Sequence, residues 1–222
     1  MGDKESMSIA SPNDRLERIA RFVQNRLHQV ARQTQNPMLD PEYRWQHTLR
    51  VSNYGKIVAK AEGANVELVV AACLLHDVAH FDEDNWKDHG RLGARISRPF
   101  LVELGYSPEE TESICYSVAV HVDGRADFEH PETLESKVVS DADNIDRFGA
   151  YRIIQWCTVD VESYGELIAK LRKRLRTLED YRQRKVMETE TGHDLFNRQL
   201  DLQIAFFKAL IEESELTSLP GL

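Results

Sequence analysis

Apolar residues recur at three- and four-residue spacing along most of the chain, and strict alternation never persists beyond about four residues. Leu16, Ile19, Ala20, Val23 and Leu27 form the first helical stripe. Ser11-Pro12, with Asp14 in the first turn, opens it as a cap residue followed by proline. Asn36-Pro37 breaks it. A second helix is expected from near Pro41 past Lys60, with Gly63 as its C-terminal cap. Asn65 is placed to cap a third, which carries the apolar run 69–75 and is expected to end near Phe81. A fourth should run from about His89 to Leu104 and close at Gly105. A fifth starts at Ser107-Pro108-Glu109-Glu110, where acidic residues suit the helix dipole, and ends at His121. Residues 134–156 read as one long or broken helix, and 164–186 and 194–215 as two more. The expectation is an all-α fold, a compact bundle of about eight helices. No repeat, low-complexity stretch or linker interrupts the pattern, so one domain over residues 11–222 is expected behind a disordered tail, residues 1–10.

Composition narrows the function. With 222 residues, 41% hydrophobic and 29% charged, the chain can bury a substantial core. No stretch approaches a membrane span, and the polar N-terminus lacks the basic start and apolar centre of a signal peptide, so a cytoplasmic protein without a membrane partner is expected. A net charge of −9 argues against duplex nucleic acid as a partner. It leaves room for a small anion, because a metal and a few cations can reverse the sign within one pocket. Cys73, Cys115 and Cys157 are widely spaced and sit in apolar stretches, as buried small hydrophobes would.

The histidines carry the chemistry. His76-Asp77 follows the apolar run 69–75, where an ionised carboxylate needs a positive partner to offset its desolvation. His47 lies mid-helix with apolar Val51 one turn on, so it should face the core. Asp143 lies on the long helix after Lys137-Val138-Val139. Packed helices stand about 8–10 Å apart, so side chains from three of them can converge on one ion. Two imidazoles and two carboxylates would suit Mn, Fe, Co, Ni or Zn, with Mg also admitted.

At these residues the chain resembles the HD superfamily of metal-dependent phosphohydrolases. The order His47, His76-Asp77, Asp143 matches its H…HD…D signature. His47-x-x-Arg50-Val51 is similar to its HxxRV segment, and Ala71-Ala72-Cys73-Leu74-Leu75-His76-Asp77 to its AAxLLHD. Lys137-Val138-Val139-Ser140-Asp141-Ala142-Asp143-Asn144-Ile145-Asp146 is similar to its KVVxDADxxD. The stretch 187–192 and the closing helix resemble the end of small single-domain bacterial and archaeal members, and the likeness covers about residues 15–215.

The resemblance implies one divalent metal on His47, His76, Asp77 and Asp143, with a second ion left open. Asp141 and Asp143 point nearly opposite ways on a helix. The family's Ala-Asp-x-x-Asp context selects Asp143, and puts Asp146 one turn on as a supporting or substrate contact. His80, His89 and His121 are implied as proton donors, phosphate contacts or ligands of a second metal. Arg44 and Arg50, one turn either side of His47, are candidate phosphate contacts. Small relatives often carry Asp at the place of Arg44, and a glycine-rich run where this chain has 147–152. Trp86 sits in the loop between the HD pair and His89, where it could close over a base. His28, His130 and His193 read as surface residues, and the basic run 170–176 as a mostly solvated helix face.

The implied activity is hydrolysis of a phosphate ester or anhydride of a nucleotide or other small phosphorylated metabolite. Two rivals remain: a dinuclear iron oxygenase of the same superfamily, and a non-catalytic nucleotide- or metal-binding sensor. The last helix, with Leu200, Ile204, Phe207, Leu210 and Ile211, could pack internally or form a homodimer face.

Overall fold

A computed structural model describes residues 11–34, 40–82, 87–159 and 161–216. They form nine helices and, among the described residues, no strand. The expected tail 1–10 and the Asn36-Pro37 break lie outside the described residues. The chain divides into two compact units, Met1–Asp143 and Asn144–Leu222.

The first unit holds α1 (Pro12–Thr34), α2 (Pro41–Glu62), α3 (Val66–Leu75), α4 (His89–Glu103) and α5 (Pro108–Val120). It also holds α6 (Leu134–Arg147) as far as Asp143. Helix α3 is apolar on nearly every side, with Val69, Ala71, Ala72, Cys73 and Leu75 fully buried, which is the pattern of a helix surrounded by others. It packs on α1, α2, α4 and α5. A fully buried side chain such as Leu75 contributes about 1.5–3 kcal/mol. Local chemistry sets the ends. Asp40, Asn65 and Ser107 accept hydrogen bonds from the first-turn amides of α2, α3 and α5. Gly63 and Gly105 leave α2 and α4 with φ of 79° and 81°, a region that costs other residues.

Helix α3 stops earlier than its sequence suggests. It ends at Leu75, and the chain turns through 76–82 with three-residue bonds, from Val78 N–H to the Leu75 carbonyl, His80 N–H to Asp77 and Asp82 N–H to Ala79. His80 therefore rides on this turn. The stretch 134–156 is broken, with α6 ending at Arg147 and a new helix starting at Tyr151.

The second unit contains α7 (Tyr151–Thr158), α8 (Tyr164–Arg182) and α9 (Glu190–Glu215), with α8 packed on both others. Phe148, Ile153, Leu171, Leu178, Phe196, Leu200, Phe207 and Ile211 are buried, and Gln203 donates to the Phe148 carbonyl. Along the α9 stripe, Leu200, Phe207 and Ile211 are buried and Ile204 and Leu210 half-buried. Cys73 and Cys115 are buried as expected, and burial pushes both thiols up, Cys115 to about 12. Cys157 is only half-buried, because α7 is short and covered on one side.

Candidate metal centre

Two histidines close helices and face each other. His76 follows α3 and His121 follows α5, each as the residue at the helix end. The Nδ1 of His76 donates to the Cys73 carbonyl at 2.7 Å, and that of His121 to the Val118 carbonyl at 2.7 Å. A carbonyl only accepts, so Nδ1 of each ring holds a proton and Nε2 is the nitrogen turned to the interior. The rings stand 5.1 Å apart.

His47 reaches the same space from α2. Its Nε2 lies 3.2 Å from His76 Nε2, 3.4 Å from Asp77 Oδ2 and 3.3 Å from Asp143 Oδ1. His76 Nε2 lies 3.2 Å from Asp77 Oδ2 and 4.0 Å from Asp143 Oδ1. Gly55 permits this approach of α2 to α3, since a Cβ there would meet Cys73 Sγ at 2.6 Å.

A second set surrounds the other oxygen of Asp77. Oδ1 lies 3.1 Å from His89 Nε2, 3.5 Å from His80 Nδ1 and 3.9 Å from His121 Nε2. His89 and His121 meet through their Nε2 atoms at 3.2 Å. Arg44 completes the ring of charge: its guanidinium lies 2.5 Å from Asp77 Oδ2 and 2.7 Å from His80 Nε2. Burial alone would raise the Asp77 pKa, but His76, Arg44 and His80 outweigh it and hold the carboxyl well below the usual range. Burial lowers the His80 pKa, and burial with His76 lowers that of His121 to about 3, so both rings are neutral at neutral pH.

The donor set fits a divalent metal. Ligands about 2.1 Å from one ion stand roughly 3.0–3.4 Å apart at 90–109°, and four of the five separations that His47 and His76 make with each other, Asp77 and Asp143 are 3.2–3.4 Å. The groups His47–His76–Asp143, His76–Asp77–His121 and Asp77–His80–His89 each bring ligand atoms close enough to hold an ion. His80 Nε2 accepts from Arg44 at 2.7 Å, so Nδ1 of the neutral ring carries the proton and faces Asp77 Oδ1 at 3.5 Å; Arg44 has to turn away before this ring offers a lone pair.

Residues 44–147 match the family model of the HD domain. This stretch is an HD domain.

Among solved structures, the chain is similar to an HD-superfamily hydrolase of Bacillus thuringiensis, at 19% identity and TM-score 0.66 over 93% of this chain and 100% of that one. It is similar to a predicted HD-superfamily hydrolase from an uncultured Thermotogales bacterium, at 21% identity and TM-score 0.59 over 87% and 91%. YpgQ of Bacillus subtilis, solved also with ADP, gives 20% identity and TM-score 0.64 over 95% and 97%. In sequence, the chain is 28% identical over 137 residues to the bifunctional uridylyltransferase/uridylyl-removing enzyme of Photobacterium profundum. That match covers 59% of this chain and spans only 15% of the enzyme's length.

Within the HD domain, the structure gathers His47, His76, Asp77, His80, His89, His121, Asp143 and Arg44 into one cluster. Asp143, and not Asp141, lies in a metal-capable group, although both are buried. Asp146 is buried one turn further along α6 and belongs to the second unit. Arg50 is half-buried on α2, and Arg44 pairs with Asp77. Trp86 lies outside the described residues. Of the histidines expected at the surface, His193 is exposed; His28 is half-buried, and so is His130, which stacks on Tyr116 at 4.6 Å. Among the described residues, no helix is long and apolar enough to cross a membrane.

Proposed function

We propose that this chain is a metal-dependent phosphohydrolase acting on a phosphate ester or anhydride of a nucleotide or similar small metabolite. The observation that carries the reading is the placement of a guanidinium against a metal-capable cluster: Arg44 lies 2.5 Å from Asp77 Oδ2, the oxygen shared with His47 and His76. Phosphate oxygens suit both partners. His47, His76, Asp77 and Asp143 are the ligands in this proposal. When bound, a divalent ion supplies Lewis acidity toward a phosphoryl oxygen and acidifies water. Arg44 turns its N–H donors from Asp77 to the phosphoryl group and balances its charge. His80, with a side chain 28% exposed, is the most open imidazole of the cluster. Its lowered pKa makes it a proton acceptor rather than a donor at neutral pH. His121 is neutral for the same reason, so it positions His89 or binds an ion rather than acting as an acid. Arg50 and Asp146 are kept as substrate and supporting contacts. A nucleotide substrate draws support from the ADP complex of YpgQ, a relative of the same fold.

A dinuclear centre is the second reading. It is favoured by Asp77, whose two oxygens face different imidazole sets.

The test is metal content per chain in protein purified without chelator, beside His76→Ala, with phosphate and pyrophosphate release from nucleoside mono-, di- and triphosphates in Mn and Ni. About one ion per chain, lost in the variant, with phosphate or pyrophosphate release supports the hydrolase. About two irons per chain without hydrolysis moves the reading to the oxygenase. Metal without turnover points to a sensor, and absence of bound metal overturns all three.

A further inference from the structure

The second unit carries a pocket built from residues outside the imidazole–carboxylate cluster. On α8, Leu171, Arg174, Leu178 and Tyr181 follow at three- and four-residue steps, which places them on one helix face. Leu171 and Leu178 are fully buried, so Arg174 stands on the stripe that meets the core. Its guanidinium lies 4.9 Å from the ring centroids of both Phe148 and Trp156. Its Nε is buried with no hydrogen-bond partner among the described residues. An arginine in such a place costs desolvation. Burial, then Arg152 and Arg147, bring its pKa down to about 10.

Other cations turn the same way. Lys170, one turn before Arg174, lies 5.3 Å from the Trp156 centroid and donates to the Val159 carbonyl. Arg152 on α7 donates to Gln155 at 2.6 Å and to the Arg147 carbonyl at 3.3 Å. Arg147, Arg152, Lys170 and Arg174 line one cavity of about 580 Å³, and among the described residues of its wall there is no aspartate or glutamate. Three other cations on α8 and α9 have acidic partners: Arg172 with Glu215 at 2.6 Å, Lys208 with Glu179 at 2.8 Å, and Arg182 with Asp201. Four cations around one cavity repel one another, and an anion converts that repulsion into attraction. The volume is that of a small-molecule site rather than of a single phosphate.

We propose that this pocket is a second binding site, for a small polyanion with at least two phosphate groups, held by Lys170 and Arg174 together with Arg147 and Arg152. The guanidiniums offer paired N–H donors matched to phosphate oxygens, and Lys170 adds a mobile point charge. Phe148 and Trp156 back the Arg174 guanidinium and hold its orientation. The proposal does not rest on the hydrolase reading.

The experiment is calorimetric titration of the full chain, stripped of metal, with inorganic pyrophosphate and with ADP. Wild type should bind both, more weakly as salt rises. Arg174→Met and Lys170→Gln should each lose about tenfold or more in affinity, while His76→Ala should bind as wild type does. Equal affinities for the two probes assign the site to a phosphate chain, and tighter ADP adds the nucleoside; either result supports the proposal. Arg174→Met replaces a partly buried charge by an apolar side chain, so its melting temperature should match or exceed that of wild type. Should it fail to fold, Lys170→Gln, half-buried on an outer turn of α8, carries the test. No binding by wild type overturns the proposal, as does binding kept by folded Arg174→Met and Lys170→Gln but lost in His76→Ala.

Discussion

Gly90→Ala tests how the second imidazole pair is brought together. Gly90 is the second residue of α4 and follows His89. A Cβ there would lie 2.8 Å from the Ala119 carbonyl oxygen, 2.9 Å from that of Val118 and 3.3 Å from His121 Nδ1. The two nearest obstacles are backbone atoms in the last turn of α5, which cannot swing aside as a side-chain end can. The two helices must separate instead. Alanine gains at most about 0.8–1.0 kcal/mol in helix propensity. Two backbone oxygens met at once put the overpacking cost at about 2–3 kcal/mol, the upper part of the usual range, so the net expectation is a loss of about 1–2 kcal/mol. For a chain of this size that lowers the melting temperature by about 2–8 °C. The same shift draws His89 Nε2 away from His121 Nε2 at 3.2 Å and from Asp77 Oδ1 at 3.1 Å. Gly165→Ala is the matched control: Gly165 is the second residue of α8, and a Cβ there meets nothing within 4 Å. Thermal unfolding followed by circular dichroism should show the control at or slightly above wild type and Gly90→Ala below it. A Gly90→Ala protein that melts with the control would refute the claim that the α4–α5 approach is held at van der Waals limit.

Acid should destabilise the metal-free protein earlier than its carboxylates alone would require. His121 falls from an ordinary 6.5 to about 3 on folding, so between those values the unfolded chain binds a proton that the folded ring refuses. Stability from this group is complete above pH 6.5 and declines toward about pH 3, by at most about 1.4 kcal/mol per pH unit. The lowered Asp77 carboxyl acts in the same direction in a more acid window, below the ordinary carboxylate value. Urea unfolding across pH should be flatter in His121→Gln than in wild type, and equal slopes would count against the assignment. Asp143→Asn should reduce bound metal about tenfold or more, whereas Asp141→Asn should keep the ion and lose only stability. The reverse pattern in metal analysis would transfer the ligand role to Asp141.

Much of the fold was legible because it rests on local chemistry. Asn65, Ser107, Gly63 and Gly105 stand where their caps and turns require them. The HxxRV, LLHD and DADxxD segments marked the ligand candidates, and His47 and His76 each stand close to Asp77 and Asp143. The end of α3 was not legible. Val78 and Ala79 continue the apolar pattern and are buried, so periodicity carries the helix to Phe81. What stops it is His76, whose ring takes the Cys73 carbonyl while the following carbonyls accept from three residues on. Hydrophobic period reports burial, and a buried turn has the same signature as a buried helix.

Arginine placement shows the same limit and also a signal that periodicity does contain. The basic run 170–176 reads as a solvated face when its charges are counted together. Taken one position at a time, Arg174 occupies the place of an apolar residue between Leu171 and Leu178, and the structure half-buries it among aromatic rings. Arg44 makes the parallel case in the HD domain: it lies one turn from His47, inward enough to reach Asp77 and His80. A cation on an inward stripe carries a desolvation cost that a solvated one avoids. That cost is offset at Arg44 by the Asp77 carboxylate. At Arg174 the neighbours among the described residues are two more arginines, a lysine and aromatic faces, and the proposed polyanion would supply the offset there.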